Sequence, residues 1–423
     1  MATFSAEVYQ NEFLPDGGSD VHAIVTVTCA GAGEAGHSGA GDAAEIVIVD
    51  TSGSMGADKI AAAQRAAEAA LDQVLDGVWF AVIAGSHEAR LAFPAEHGMV
   101  RMDSQARAAA KSAIGTFEPK GGTAMGTWLR LATEVFASVP GLAQKHAILL
   151  TDGINQHETA EQLSAAIAGA QGQFQCDCRG VGSDWQVAEV RRIATTLLGS
   201  VDLIASADRM AADFEKIMRQ SMGRGVAAAF LRVWAPQGAQ VLFVRQVSPT
   251  VDDLTARRTE VNALTSAYPT GSWGDEARDY HVAVRLAAKA VGQEQLAARV
   301  QLAIGPDVVA QGLVKALWSS DDTLTTRIDP AVAHYTGQAE LAEAIQEGLA
   351  AKASGDTATA TTKLGRAVQL AAETGNEEAT TRLRKIVEIG DAATGKVQLK
   401  RSVDKLDEMA LDTASTKTTR VKK

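Results

Sequence analysis

From residue 45 to about 222 the chain alternates between short unbroken apolar runs and longer stretches whose apolar residues return every third or fourth position. The runs are EIVIV (45–49), VWFAVIAG (78–85), KHAILL (145–150), FQCDCRGVG (174–182) and VDLIAS (201–206). Short apolar runs that alternate with helical segments predict strands buried on both faces. The stretches 57–75, 103–115, 122–139, 159–170 and 185–199 predict the helices between them. In the first, Ile60, Ala63, Ala67, Leu71 and Val74 form one stripe. A last helical segment, 208–222, closes the unit. Such alternation predicts an α/β fold, a doubly wound and mostly parallel sheet with helices on both faces.

Elsewhere the pattern changes. Residues 225–328 hold strand-like runs separated by turns, with 268–280 (YPTGSWGDEARDY) as the most turn-rich loop. These predict a β-sandwich. Residues 1–30 read as two more strands that complete it, since two strands alone are marginal in water. AGAGEAGHSGAG (30–41) suits a linker or mobile loop. From 336 to 392 three helical segments are separated by Gly355–Asp356 and Gly375–Asn376. They resemble the helix-turn-helix of tetratricopeptide repeats, with a plain helical bundle as the alternative. The polar, Thr-rich end, 393–423, is expected to be disordered when free.

Composition narrows the classes. The 423 residues suffice for about two to three domains and are 46% hydrophobic, enough for a sizeable core. A net charge of -11 argues against nucleic acid and against an anionic membrane surface. No window is apolar enough to span a membrane and the first residues do not read as a leader, so a cytoplasmic location is expected. Cys29, Cys176 and Cys178 set no disulfide framework. The CDC pair reads as buried small side chains, with a metal or redox pair as the alternative.

The chemistry collects at strand ends. DTSGSMG (50–56) follows EIVIV, so Asp50 points into the crevice beyond the carboxyl ends of the strands, where open α/β sheets bind ligands. KGGTAMGTW presents Thr123 at a helix start, and LLTDG puts Asp152 at the end of another strand. Asp50, Ser52, Ser54, Thr123 and Asp152 therefore offer two carboxylates and three hydroxyls from three loops. Carboxylates about 5 Å apart repel by roughly 3 kcal/mol at an effective dielectric near 20. A divalent cation reverses that sign. Hard oxygens without sulfur or imidazole suit Mg²⁺, with Mn²⁺ or Ca²⁺ as substitutes.

Asp50-x-Ser52-x-Ser54 with Thr123 and the Asp152 of TDG resembles the metal-ion-dependent adhesion site of von Willebrand factor type A domains, over roughly residues 43–222. The resemblance implies a Rossmann-like sheet in which Asp50, Ser52 and Ser54 hold a cation, with Thr123 and Asp152 bound directly or through water. It implies a protein partner whose Asp or Glu completes the coordination, and a last helix, near 209–222, that moves in several members on ligand binding. GSWGDEARDYHV and STKTTRV resemble bacterial, especially actinobacterial, cytosolic proteins that join this domain to a β-sandwich. Some such relatives are adaptors of AAA+ ATPases or work beside kinase, phosphatase and forkhead-associated modules.

Other readings of these residues compete. A serine-hydrolase elbow needs Gly where Ser52 stands, and none of His87, His97, His146 and His157 is singled out as a base. A phosphoryl-accepting Asp50 would want a second Asp at 52, and GGTAMGT lacks the Lys of a phosphate loop. The hydroxyls could instead merely cap helices. The expectation is a binding protein rather than an enzyme. A second one is regulation through phosphorylation of the tail at Thr413, Thr416, Thr418 or Thr419, read by an Arg-lined domain.

Overall fold

The structure, a computed structural model, describes residues 2–36, 42–96 and 98–421. Part of the expected linker, His97 and the final two lysines lie outside the described residues. The chain divides into two compact units, Gly31–Ala228 with Gly271–Asp275, and Thr3–Ala30 with Ala229–Thr270 and Glu276–Lys423. Three strands open the second unit, β1 (Thr3–Gln10), β2 (Phe13–Leu14) and β3 (Asp20–Ala30).

The first unit then runs β4 (Asp42–Asp50), α1 (Gly56–Gln73), β5 (Trp79–Gly85), β6 (Arg90–Phe93), β7 (Val100–Arg101), α2 (Ser104–Ile114), α3 (Met125–Ala137), β8 (Leu142–Thr151), α4 (Ala160–Ala170), β9 (Gln175–Val181), α5 (Val187–Thr196), β10 (Val201–Ile204) and α6 (Met210–Met222). The sheet order is β10-β9-β8-β4-β5-β6, parallel except for β6 and β7, which pair antiparallel with β5. β4 sits inside the sheet because residues 43–50 are all buried, as expected of a strand covered on both faces. On one face Val47 and Val49 meet Ile60, Ala63, Ala67 and Leu71 of α1 and Phe214 and Met218 of α6. Across the sheet Trp128 of α3 lies over Gly85, where a Cβ would come within 2.5 Å of the indole. Only glycine lets α3 approach that closely. Cys176 and Cys178 are buried free thiols 3.8 Å apart at sulfur, and their mutual hydrogen bond and burial push the Cys176 thiol well up.

The same face that carries α1 and α6 holds a row of buried charge. Glu45 of β4, His146 of β8 and Asp177 of β9 stand side by side, with His146 Nδ1 2.7 Å from Glu45 Oε2 and Nε2 2.9 Å from Asp177 Oδ2. Ser221 of α6 donates to Glu45 Oε1 at 2.5 Å, and Ser200 donates to Asp177 Oδ1 through its amide at 2.7 Å. Farther along, Arg179 reaches Asp213 of α6 at 2.7 Å. Burial alone pushes the His146 imidazolium down. The carboxylates on either side outweigh it and raise the group to about 9. Asp177 is driven up by burial too, but the His146 hydrogen bond and charge hold it well below the usual carboxylate range.

The second unit continues with β11 (Val226–Trp234), β12 (Gln240–Ser248), β13 (Asp252–Asp253), β14 (Thr259–Asn262), β15 (Thr265–Trp273), β16 (Glu276–Arg285), β17 (Glu294–Ile304) and β18 (Asp307–Trp318). Two sheets result, β1-β3-β16-β12-β13 and β14-β15-β11-β17-β18-β2. They press together closely enough that a Cβ at Gly312 of β18 would lie 2.4 Å from Val8 of β1. The stretch 268–280, expected as a turn-rich loop, is mostly β15 and β16 with only Gly274 and Asp275 between them. Its polar residues are strand residues with internal partners. Thr270 donates to Ala229 O at 2.8 Å and Thr26 to Asp279 Oδ1 at 2.6 Å, while Tyr268 and Tyr280 are buried.

Helices α7 (Asp322–Thr325), α8 (Pro330–Ala353), α9 (Thr357–Glu373) and α10 (Glu377–Ile386) follow, each capped by an aspartate or asparagine side chain. The expected third helix ends early. Val387–Asp391 turns into strand β19, paired with β20 (Lys396–Leu399) around Gly395 at φ 67, and Val387, Ile389, Val397 and Leu399 lie in or against the helical core.

The tail corrects the expectation of disorder. It carries β20 and α11 (Lys405–Ala414), and Leu411 is buried against Leu341 and Leu383. Residues beyond α11 are fastened in turn. Val251 N–H donates to Thr416 O, the Thr418 hydroxyl to Val247 O at 2.7 Å, and Gln338 to the Thr419 hydroxyl. Arg420 grips the buried Asp279 through Nε (3.1 Å) and Nη2 (3.0 Å), beside Tyr335, whose hydroxyl donates to Asp279 Oδ2. A polar composition suggests solvation, whereas here the hydroxyls and guanidinium serve as internal donors. Arg420→Ala is expected to lower stability by about 1–2 kcal/mol, measured as a lower urea midpoint at unchanged slope; Thr26 and Tyr335 still serve the carboxylate.

Candidate metal-ion site

The site forms where three parallel strands end. β4 stops at Asp50, and its carboxylate turns back on its own loop, with Oδ1 accepting from Ser52 N–H at 2.8 Å. Oδ2 accepts from the hydroxyl of Thr151, the last residue of β8, at 2.7 Å. One 3-10 turn, Gly53–Met55, places Ser54 beside Ser52, hydroxyl to hydroxyl at 2.9 Å, before α1 begins. The Ser54 hydroxyl donates to Asp152 Oδ1 at 2.6 Å, one residue beyond β8.

Thr123 arrives from the loop before α3. That loop is tied to the first by Gly53 N–H on Gly121 O (2.8 Å) and Lys120 N–H on Thr51 O (2.7 Å). Gly121 has φ 80, a left-handed turn that a glycine takes without strain. Gly122 N–H points at His87 Nδ1 (3.4 Å) and Thr123 N–H at His157 Nδ1 (3.3 Å). All five expected residues are thus brought together. Asp50, Ser52, Thr123 and Asp152 are buried, while Ser54 and Gly53 are exposed and open the cluster to solvent.

Gly153 locates the point on which the oxygens converge. A Cβ placed there would stand 2.9 Å from Thr123 Oγ1, 3.0 Å from Ser54 Oγ and 3.9 Å from Asp50 Oδ2. The residues form a cluster of hard oxygens around that point. Its donor set fits a divalent cation of the Mg²⁺ type. Among the described residues no group of three or more His, Cys, Asp or Glu could hold a metal; the oxygens gathered here come from two carboxylates and three hydroxyls. Burial pushes the Asp50 carboxyl up, against the Ser52 and Thr151 hydrogen bonds, and the Asp152 charge pushes the same way.

Residues 44–202 match the von Willebrand factor type A domain, and 369–415 match a von Willebrand factor type A C-terminal domain. A solved von Willebrand factor type A structure from Catenulispora acidiphila is 46% identical, covering 99% of this chain and 97% of its own, with a TM-score of 0.93. The chain belongs to the von Willebrand factor type A family. The ArnB paralog VWA2 of Sulfolobus acidocaldarius shares the fold at 15% identity, over 98% of both chains, with a TM-score of 0.59. A Synechocystis sp. protein is 28% identical over 215 residues, and the chain spans about half (50%) of that relative's length.

Within the type A fold the histidines divide by position. His146 belongs to the buried row and is out of reach of the serines. His87 and His157 are exposed, with ring centroids 6.2 Å apart, and flank the Thr123 loop. Among the described residues neither Ser52 nor Ser54 is bonded to an imidazole; their hydroxyls meet each other, and that of Ser54 meets Asp152. Thr151 and Lys59 were not singled out in the sequence. Thr151 could have been, as the residue before Asp152 on a strand neighbouring Asp50. Lys59 lies nine residues from Asp50, and its Nζ sits 2.6 Å from Asp152 Oδ2. No helix is long and apolar enough to cross a membrane among the described residues.

Proposed function

We propose that the protein is a metal-dependent binding module in which Asp50, Ser52, Ser54, Thr123 and Asp152 hold Mg²⁺, or Mn²⁺ or Ca²⁺ in its place. An acidic side chain of a protein partner completes the coordination. The observation that carries this reading is the convergence of Thr123 Oγ1, Ser54 Oγ and Asp50 Oδ2 around one point. The serine and threonine ligands are neutral, so only the two aspartates offset a bound cation's charge, and an anionic side chain can take a remaining coordination position. The role needs no bond to be made or broken. It fits an adaptor or scaffold acting inside the cell, joining a partner to the surface at Ser54 and Gly53.

The test is thermal melting and partner capture with Mg²⁺ and with EDTA. A cation at a hundredfold excess over its Kd adds about 2.7 kcal/mol of stability, so Mg²⁺ is expected to raise the melting temperature of the protein and not that of Asp50→Ala. Partner capture is expected in Mg²⁺ and lost both in EDTA and in Asp50→Ala. Equal capture in all three would overturn the reading.

A further inference from the structure

Asp152 is fully buried, yet half of its carboxylate is already taken by a cation the protein itself supplies. Lys59 Nζ lies 2.6 Å from Asp152 Oδ2, while the other oxygen accepts from Ser54. The same ammonium is 3.9 Å from Asp184 Oδ2, a carboxylate whose side chain is 67% exposed. Gly182 lies nearby, and a Cβ there would stand 4.0 Å from Nζ. Lys59 occupies the first turn of α1, the end of a helix that favours acids over bases. Helix preference does not explain its placement; the site does.

We propose that Lys59 is a built-in competitor of the metal. With no cation bound, its ammonium neutralises Asp152. When a divalent cation enters, Lys59 gives up that carboxylate and turns to Asp184. The charge count follows from the residues. Asp50, Asp152 and Asp184 against Lys59 leave two net negative charges; a divalent cation cancels them, where without Lys59 one negative charge would remain. Lys59 therefore weakens the metal on its own and strengthens its demand for an anionic ligand. Metal and carboxylate would bind best together.

This inference rests on the metal reading, and its test separates the two. Mg²⁺ is titrated calorimetrically into the full chain, its Lys59→Met, Lys59→Arg and Asp184→Asn variants, and the Lys59→Met/Asp184→Asn double variant. Each is also melted in EDTA, and acetate is titrated onto the Mn²⁺-loaded proteins. Lys59→Met is expected to melt lower in EDTA, to bind Mg²⁺ about tenfold more tightly, and to bind acetate several-fold more weakly. Lys59→Arg is expected to bind Mg²⁺ within about twofold of the parent, because charge rather than shape is at issue. Asp184→Asn is expected to bind Mg²⁺ several-fold more weakly, and to have no effect in the Lys59→Met background. If Lys59→Met melts lower in EDTA but binds Mg²⁺ as the parent does, Lys59 is only a fold-stabilising partner and the inference is overturned alone. If neither the parent nor Lys59→Met binds Mg²⁺, the metal reading falls with it.

Discussion

Replacing His146 by leucine is expected to lower the unfolding free energy by about 3–5 kcal/mol. Leucine fills the space but strands two carboxylates, because Glu45 and Asp177 face the imidazole from opposite sides at 2.7 and 2.9 Å. Glu45 keeps Ser221 and Asp177 keeps Ser200, but no positive charge remains between them. The parent protein should show the same linkage as a pH dependence. His146 is raised from 6.5 to about 9 in the fold, so its contribution is complete below about 6.5 and is lost as pH rises through about 9. One pKa unit corresponds to about 1.4 kcal/mol, which makes the loss about 3 kcal/mol. Asp177 is held low, so its contribution is present above the ordinary carboxylate range and fades as pH falls below it. Unfolding below about pH 4 checks the Asp177 point, and urea unfolding at pH 6, 8 and 9.5 checks the His146 point. A parent whose stability is flat across those values, or whose decline is matched by His146→Leu, would show that the imidazole is not charged in the fold.

Gly153→Ala is expected to abolish cation binding at small cost in stability. The added methyl would take the point on which the hydroxyls converge, 2.9 Å from Thr123 and 3.0 Å from Ser54. Gly153 is not among the positive-φ glycines, so its backbone is one that alanine adopts without strain. All five site side chains remain, and a loss of binding would come from the methyl together with the shift it forces on the Thr123 hydroxyl. Melting with Mg²⁺ and with EDTA is the measurement. An alanine variant that melts in EDTA within about 1 kcal/mol of the parent and gains nothing from Mg²⁺ is the expected result. A full Mg²⁺-induced rise would mean that the cation, if bound, sits elsewhere.

What was readable in the sequence follows from the range of the interactions. The first unit is legible because its strands are buried on both sides, and four apolar residues in a row, as in IVIV (46–49), suit a strand covered above and below. The cluster at Asp50 was readable because each residue sits at a strand end or helix start, where local pattern fixes direction. Other features depend on partners far along the chain. The residues around Thr270 look like a turn until Ala229 supplies an acceptor, and the residues from Thr416 to Arg420 look solvated until Val247, Gln338 and Asp279 claim them. The strand β19 was hidden by continuity with α10, since IVEI suits a helix face as well as a strand until Val397 and Leu399 pair with it. His146 showed no signal at all. Its meaning lies in the register that sets it between Glu45 and Asp177.

That register also bears on α6. Ser221 spans to Glu45, Gln144 to the Ser221 carbonyl, and Asp213 to Arg179, so the helix is pinned near both ends to charges inside the sheet. A smoothly greased helix would slide by fractions of a turn at little cost. This one has teeth. A small displacement breaks its bonds to buried ionised groups before new ones form, so intermediate positions are the least stable. Any movement of α6 would therefore cost those bonds first, and a ligand that drives it must bind the shifted helix more tightly by a comparable amount.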